Sequence, residues 1–308
     1  MPKRSARTTS ARTTSARTGS AETVATSPEA VASRLAASRY LADESLATAI
    51  FLAIRLGKPL LLEGAPGVGK TEAAKAIADL LGRDLVRLQC YEGIDAAHAL
   101  YEWNYQRQLL AIRHAGEHEI DIYDDRFLIA RPLLQVLKAP EKRVLLVDEI
   151  DRSDHEFEAL LLEFLSDFQI SIPERGTIRA TAQPIVILTS NRTRELAEAL
   201  RRRCVYHWIT YPDAEREAAI IMLRAGDVAQ ATARAVASAV RDIRARPLAK
   251  PPGIAEAVEW ANAATILEKG GSPWPEAFRR AIGVLIKDEE DLSYIAPELG
   301  RIVEEALA

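Results

Sequence analysis

Two short stretches hold residues of the kind that handle phosphate. The first is GAPGVGKT, formed by Gly64, Ala65, Pro66, Gly67, Val68, Gly69, Lys70 and Thr71. It matches G-x-x-x-x-G-K-[ST], with an apolar run before it and a helical pattern after it. The glycines let the backbone turn tightly and aim its N–H groups at phosphate oxygens, and the positive end of the next helix adds to that pull. Lys70 would then reach the β- and γ-phosphates of a nucleotide, and the Thr71 hydroxyl would ligate Mg2+. The second stretch is RVLLVDEIDR. Asp148 ends an apolar strand, where it holds Mg2+ through water, and Glu149 polarises the attacking water. Asp151 either supports this site or caps the helix that follows Ser153, and capping is the preferred reading.

A third stretch, ILTSNRTRELAEALRRRC, completes the set. Asn191 follows a strand expected between the other two and orients the water with its amide. Arg201, Arg202 and Arg203 end a helix. They are either a solvated terminus that matches the helix dipole, or they supply a cation that enters a neighbouring subunit's site and neutralises γ-phosphate charge.

These residues need a scaffold. Apolar runs at 59–63, 85–89, 143–148, 185–190 and 205–209 read as strands covered on both faces, with helices between them. Ahead of them, Asp43 caps a helix whose Leu46, Ile50 and Ile54 recur at helical spacing. QISIPERGTIRATAQP reads as an added hairpin around Arg175 and Gly176. From 213 the strands stop, and four or five helices follow, broken at Gly226, Pro251-Pro252-Gly253 and Gly270-Gly271. The expected fold class is α/β: a P-loop parallel-sheet nucleotide domain with an all-helical C-terminal lid. The expected division is a disordered basic tail over 1–28, an ATPase core over 29–211 and the lid over 212–308.

Composition limits the function. The chain has 308 residues and a formal charge of −4. Lys3, Arg4, Arg7, Arg12 and Arg17 lie in a SARTT-repeat segment without acidic residues, so the rest is more acidic than the total. An acidic body with a basic arm is not the charge pattern of a dedicated nucleic-acid binder. Two cysteines without CxxC spacing suit a reduced compartment. No apolar run reaches membrane-span length and no secretory signal is present, so the expectation is cytoplasmic.

The order of these motifs resembles the AAA+ ATPases, over roughly residues 35–300. ISIPERGTIRA and EALLLEFLSDFQISI are similar to the MoxR-type branch. Within it, RLQCYEGIDAAHALYEWNYQRQLL is similar to the ATPases of carbon monoxide dehydrogenase maturation (CoxD-like). The resemblance implies that Asn191 is the sensor 1 residue and that Arg203, then Arg201, act in trans. It also implies a homo-oligomeric ring, usually a hexamer, with ATP and Mg2+ as cofactors and a protein client, with an apo molybdenum hydroxylase as the candidate. One departure stands out: Gly253 holds the place where this branch carries its sensor 2 arginine, leaving Lys250, Arg246 or a neighbour's arginine as substitutes. Two other function classes remain, a DNA-acting motor or loader and an ATP-switched scaffold with little turnover.

Other signals are weaker. His114 and His118 have helical metal-ligand spacing but flank Gly116, and ordinary surface histidines are the preferred reading. Trp260 and Trp274 read as lid core. The stretch Gln89–Leu109 is rich in aromatics: Tyr91, Tyr101, Trp103 and Tyr105 read as core packing, adenine stacking or a partner-facing insert, with the insert narrowly preferred.

Overall fold

The computed structural model describes residues 25–115, 118–226 and 228–307. Residues 1–24, most of the expected tail, lie outside the described residues. Ala25 is fully buried in the core, and Ser27 caps helix α1 (Pro28–Ala37) by accepting from the Ala30 N–H at 3.2 Å. Asp43 caps α2 (Glu44–Leu56) as its position suggests, accepting from Leu46 N–H. β1 (Leu60–Gly64), α3 (Lys70–Leu81) and β2 (Leu85–Gln89) follow.

An insert comes next: a short turn of helix α4 (Ala96–Ala99), β3 (Tyr101–Trp103), α5 (Tyr105–Ala115) and β4 (Leu128–Ala130), with β3 and β4 paired antiparallel. Then come α6 (Pro132–Lys138), β5 (Val144–Asp148), α7 (His155–Asp167), the hairpin β6 (Gln169–Ile172) and β7 (Gly176–Arg179), β8 (Ile185–Ser190), α8 (Glu198–Arg203) and β9 (Val205–Ile209). The five long strands form one parallel sheet in the order β2-β5-β8-β1-β9. β8 lies between β5 and β1, so the strand ends bearing Gly64, Asp148 and Asn191 are neighbours.

Strand alternation builds two cores. Leu61, Leu145, Val147 and Leu188 face one side, packed with α6 and α7, while Leu60, Leu62, Val144, Leu146 and Ile187 face the other, packed with α1 to α3. Near-continuous apolar runs are therefore required rather than accidental.

The helical region runs through α9 (Ala214–Arg224), α10 (Gln230–Arg244), α11 (Ile254–Lys269), α12 (Trp274–Arg280), α13 (Ile282–Leu285) and α14 (Glu289–Leu307). Among the described residues that is six helices where four or five were expected, because the segment after Gly271 splits at Ala281 and again at 286–288. Trp260 is fully buried, stacks edge-on to Phe278 at 4.9 Å and donates its Nε1–H to the Phe278 carbonyl at 3.1 Å. Among the described residues no helix is long and apolar enough to cross a membrane.

Candidate nucleotide site

β1 delivers the chain to Gly64, and α3 starts at Lys70. Between them Gly67 and Gly69 adopt φ of 77° and 92°, a region closed to most side chains. A Cβ on Gly67 would lie 2.6 Å from Gly253 Cα. The loop is therefore glycine-bound by its fold and by the lid lying against it. Ile254 N–H donates to the Gly67 carbonyl at 3.0 Å, and Tyr211 Oη–H donates to the Pro66 carbonyl at 2.8 Å. Val68 is buried under the loop and Ala65 packs beside it.

The buried Lys70 ammonium donates to the Gly64 and Ala65 carbonyls at 2.8 and 2.7 Å. Burial lowers its pKa to about 8, opposed by the negative charges of Asp151, Asp148 and Glu149. Thr71 Oγ1 lies 3.1 Å from Asp148 Oδ1. A hydroxyl beside a carboxylate is the hard-oxygen donor set that Mg2+ takes, so these residues fit the ion.

Asp148 is nearly inaccessible. Its Oδ1 also accepts from Thr189 Oγ1, and its Oδ2 accepts from Arg87 Nε at 3.0 Å and Nη2 at 2.5 Å. Glu149 turns the chain at φ 56°, with its N–H donating to Thr189 Oγ1 at 2.9 Å and its carboxylate 3.3 Å from Arg152. A left-handed glutamate right after the buried strand is locally costly and is held by the surrounding bonds.

Asp151 does not cap α7. Asp154 does, accepting from Phe157 N–H at 2.8 Å. Asp151 is buried and accepts from Asn191 N–H at 3.1 Å, Thr193 N–H at 2.8 Å and Thr193 Oγ1 at 2.7 Å. It thus fixes the loop that carries Asn191, where Arg192 also has a positive φ of 59°. The capping preference fails because the partners of Asp151 lie some forty residues on, beyond any local pattern.

The loop, Asp148, Glu149 and Asn191 line one cavity of about 720 Å³, which Tyr40, Ile209 and Val258 also line. The lid arginines along it, Arg216 and Arg224, come from α9. Arg216 donates to the Leu41 carbonyl at 2.9 Å and Arg224 to Glu72 at 2.8 Å. Neither suggested substitute lines the cavity: Lys250 is paired with Asp288, and Arg246 with Glu298 and Asp242. Gly253 itself leaves no room for an arginine, since its Cβ would stand 2.7 Å from Gly67 Cα.

The arginine triplet lies away from this chain's own cavity. Arg203 donates to the Leu162 carbonyl at 2.6 Å and to Ser166, Arg202 pairs with Glu198, and Arg201 lies 3.9 Å from the buried Glu63 and over the Tyr206 ring.

The aromatic stretch divides. Trp103 is 7% exposed and belongs to the core, with Tyr101 at 6.0 Å and Tyr123 at 5.4 Å. The partner-facing reading is wrong for Trp103: β3 pairs with β4 and turns this side chain inward. Tyr105 is 66% exposed, and along α5 Leu109, Leu110 and Ile112 are also exposed. α5 ends at Ala115, so His114 and His118 do not share a helix.

The comparisons with known proteins meet the geometry here. Residues 59–204 match the family described as AAA domain (dynein-related subfamily). That segment is similar to AAA-type P-loop ATPase domains. The chain is 31% identical over 175 residues to the ATPase family AAA domain-containing protein FIGL1 of Arabidopsis thaliana, covering 54% of this chain and 21% of that protein. It is 44% identical over 54 residues to Midasin of Giardia intestinalis, covering 18% of this chain and 1% of Midasin. The chain therefore spans a minor part of both relatives. Among solved structures, a point mutant of Thermotoga maritima RuvB superposes with a TM-score of 0.51 at 20% identity, covering 86% of this chain and 73% of that one. A second RuvB mutant gives 0.51 at 22%, covering 81% and 70%. These likenesses show the fold alone, a parallel-sheet α/β domain followed by helices. The AAA match spans the loop, β5, the Asn191 turn and the triplet, and stops at Cys204.

Arg87, Thr189 and Arg216 escaped the sequence reading. Arg87 left one sign: it is a charged residue inside an expected buried strand, two positions before Gln89.

Proposed function

We propose that the chain is a Mg2+-dependent ATPase that hydrolyses ATP between subunits of a homo-oligomeric ring and uses the cycle to remodel a protein client. Lys70, Thr71, Asp148, Glu149 and Asn191 act in cis, and Arg203 or Arg201 acts in trans. The observation that carries this is a contrast of placement. The first five residues meet in one cavity, while the arginines stand outside it, at the end of a helix. Lys70 and the loop amides bind the phosphates, Thr71 and Asp148 hold the metal, and Glu149 takes the proton from water. When bound, Mg2+ supplies charge neutralisation at the phosphates.

The division into an AAA core to about 211 and a lid beyond it belongs to this reading, as does a MoxR-type, CoxD-like place within the AAA+ class. The client surface is assigned to the exposed side of α5, where Tyr105, Leu109 and Ile112 recur at helical spacing. A molybdenum hydroxylase awaiting its metal centre is the client that the similarity of residues 87–110 suggests.

The test is a trap. Tagged Glu149→Gln chain is loaded with ATP in native lysate, and the proteins held only with ATP are identified by mass spectrometry. A metalloenzyme subunit lost on Tyr105→Ser/Leu109→Ser/Ile112→Ser supports the client reading. Nucleic-acid proteins, or the chain alone, sink it and leave the ATPase. Steady-state turnover by the wild type separates an enzyme from a switched scaffold.

A further inference from the structure

Arg87 is a half-exposed arginine on β2 that does not extend into water. Its Nε and Nη2 both donate to one oxygen of Asp148, Oδ2, and Nη2 also donates to Gln89 Oε1. The register explains the reach: β2 pairs Gln89 with Asp148 and Arg87 with Leu146, so the side chain runs forward along the strand to the carboxylate. Asp148 needs such a partner. It is 2% exposed, and an ionised carboxylate at that depth is costly unless paired and hydrogen-bonded. Its other oxygen is taken up by the hydroxyls of Thr71 and Thr189. Both hydroxyls are neutral, so among the described residues the cation hydrogen-bonded to this carboxylate is Arg87, while the Lys70 ammonium acts on it through space.

We propose that Arg87 is the exchangeable counter-cation of Asp148, and that it sets the divalent-metal concentration at which the site loads. The inference rests on the reading of Asp148 as the metal carboxylate. A metal approaching Asp148 meets a guanidinium already bound to Oδ2 and must either displace it or share the carboxylate with a like charge. Both raise the metal dissociation constant. Arg87 is a positioning residue in this account: it acts on the metal through Asp148 and touches no phosphate. Its two-pronged contact also separates it from lysine, which offers a single point charge.

The test uses the full chain with ADP, and Mn2+ as probe, with free Mn2+ counted by electron paramagnetic resonance. Arg87→Met keeps the stem and removes the charge; Coulomb repulsion in a partly solvated site predicts a fall in the Mn2+ dissociation constant on the order of tenfold. Arg87→Lys keeps a charge and should stay nearer the wild type than the methionine variant. An unchanged or larger dissociation constant for Arg87→Met overturns the proposal. Asp148→Asn tests the reading beneath it: if that change leaves Mn2+ affinity intact, Asp148 is not the metal carboxylate, whatever Arg87 does. A readout on the wild type covers the case of an unfolded variant. The Arg87 Nε–H signal in a nitrogen-15 spectrum, assigned by its loss in Arg87→Lys, should shift when Mg2+ is added to the ADP complex. A signal that ignores Mg2+ rejects the exchange.

Discussion

The phosphate loop and the aromatic insert flank the same β2 strand, yet they are built on opposite rules. Around Gly64–Thr71 and Asp148 the polar groups are buried and find partners inside the chain: Lys70 on loop carbonyls, Asp148 on two threonines and Arg87, Asp151 on the Asn191 turn. Along α5 the apolar side chains of Tyr105, Leu109 and Ile112 face outward, and only Gln108 on that helix is buried, donating to the Ile122 carbonyl. A site that must hold charge in fixed positions is completed internally. On the proposed client surface the apolar area stays exposed.

The largest effects should fall in the first region. Lys70→Ala should abolish ATP binding, read by equilibrium titration with a fluorescent nucleotide. Glu149→Gln should keep ATP and lose turnover by about 10²–10⁴-fold, the range for a positioned general base. Next comes Arg203→Ala, which should leave ATP affinity in place while lowering turnover by up to ~10³-fold or more. If Arg203→Ala and Arg201→Ala together keep wild-type turnover, the triplet is a solvated helix end.

Stability sharpens the contrast within the insert. Trp103→Ala should cost about 3–5 kcal/mol, as for other buried aromatics, whereas Leu109→Ser or Ile112→Ser should stay within about 0.5 kcal/mol. Urea unfolding of the three variants decides it, and equal losses would mean that α5 is packed after all. The smallest effect concerns the thiols. Burial, then the nearby charges of Asp148, Asp151 and Glu149, push Cys90 up to about 12, and burial raises Cys204 to about 12. Since the thiolate is the reactive form, both should resist iodoacetamide at pH 8 in the folded chain, with alkylation rising as pH climbs toward 12. Rapid labelling at pH 8 would show that these segments open.

What could be read beforehand follows from the range of each signal. The strands were legible because a doubly covered strand is a short apolar run; 205–209 matches β9, and 59–63 differs from β1 by one residue at each end. The glycine loop and the acidic strand end were legible because their chemistry is local and spaced. Asp151 was misplaced because its partners Asn191 and Thr193 are contiguous with it only in the fold. Trp103 was misjudged because a three-residue strand gives no alternation to count, and its core is shared with Phe127 and Leu133 far along the chain. Arg87 went unread because its partner is on another strand.

In the proposed ring each ATP site takes Glu149 from one chain and an arginine from the next. Mixing tests it. Glu149→Gln and Arg203→Ala chains, each inactive alone, are combined and ATP turnover is followed as a function of mixing ratio. Activity should return in the mixture, peaking near equal amounts, because some interfaces then pair an intact Glu149 with an intact Arg203. A mixture as inactive as its components at every ratio would contradict it.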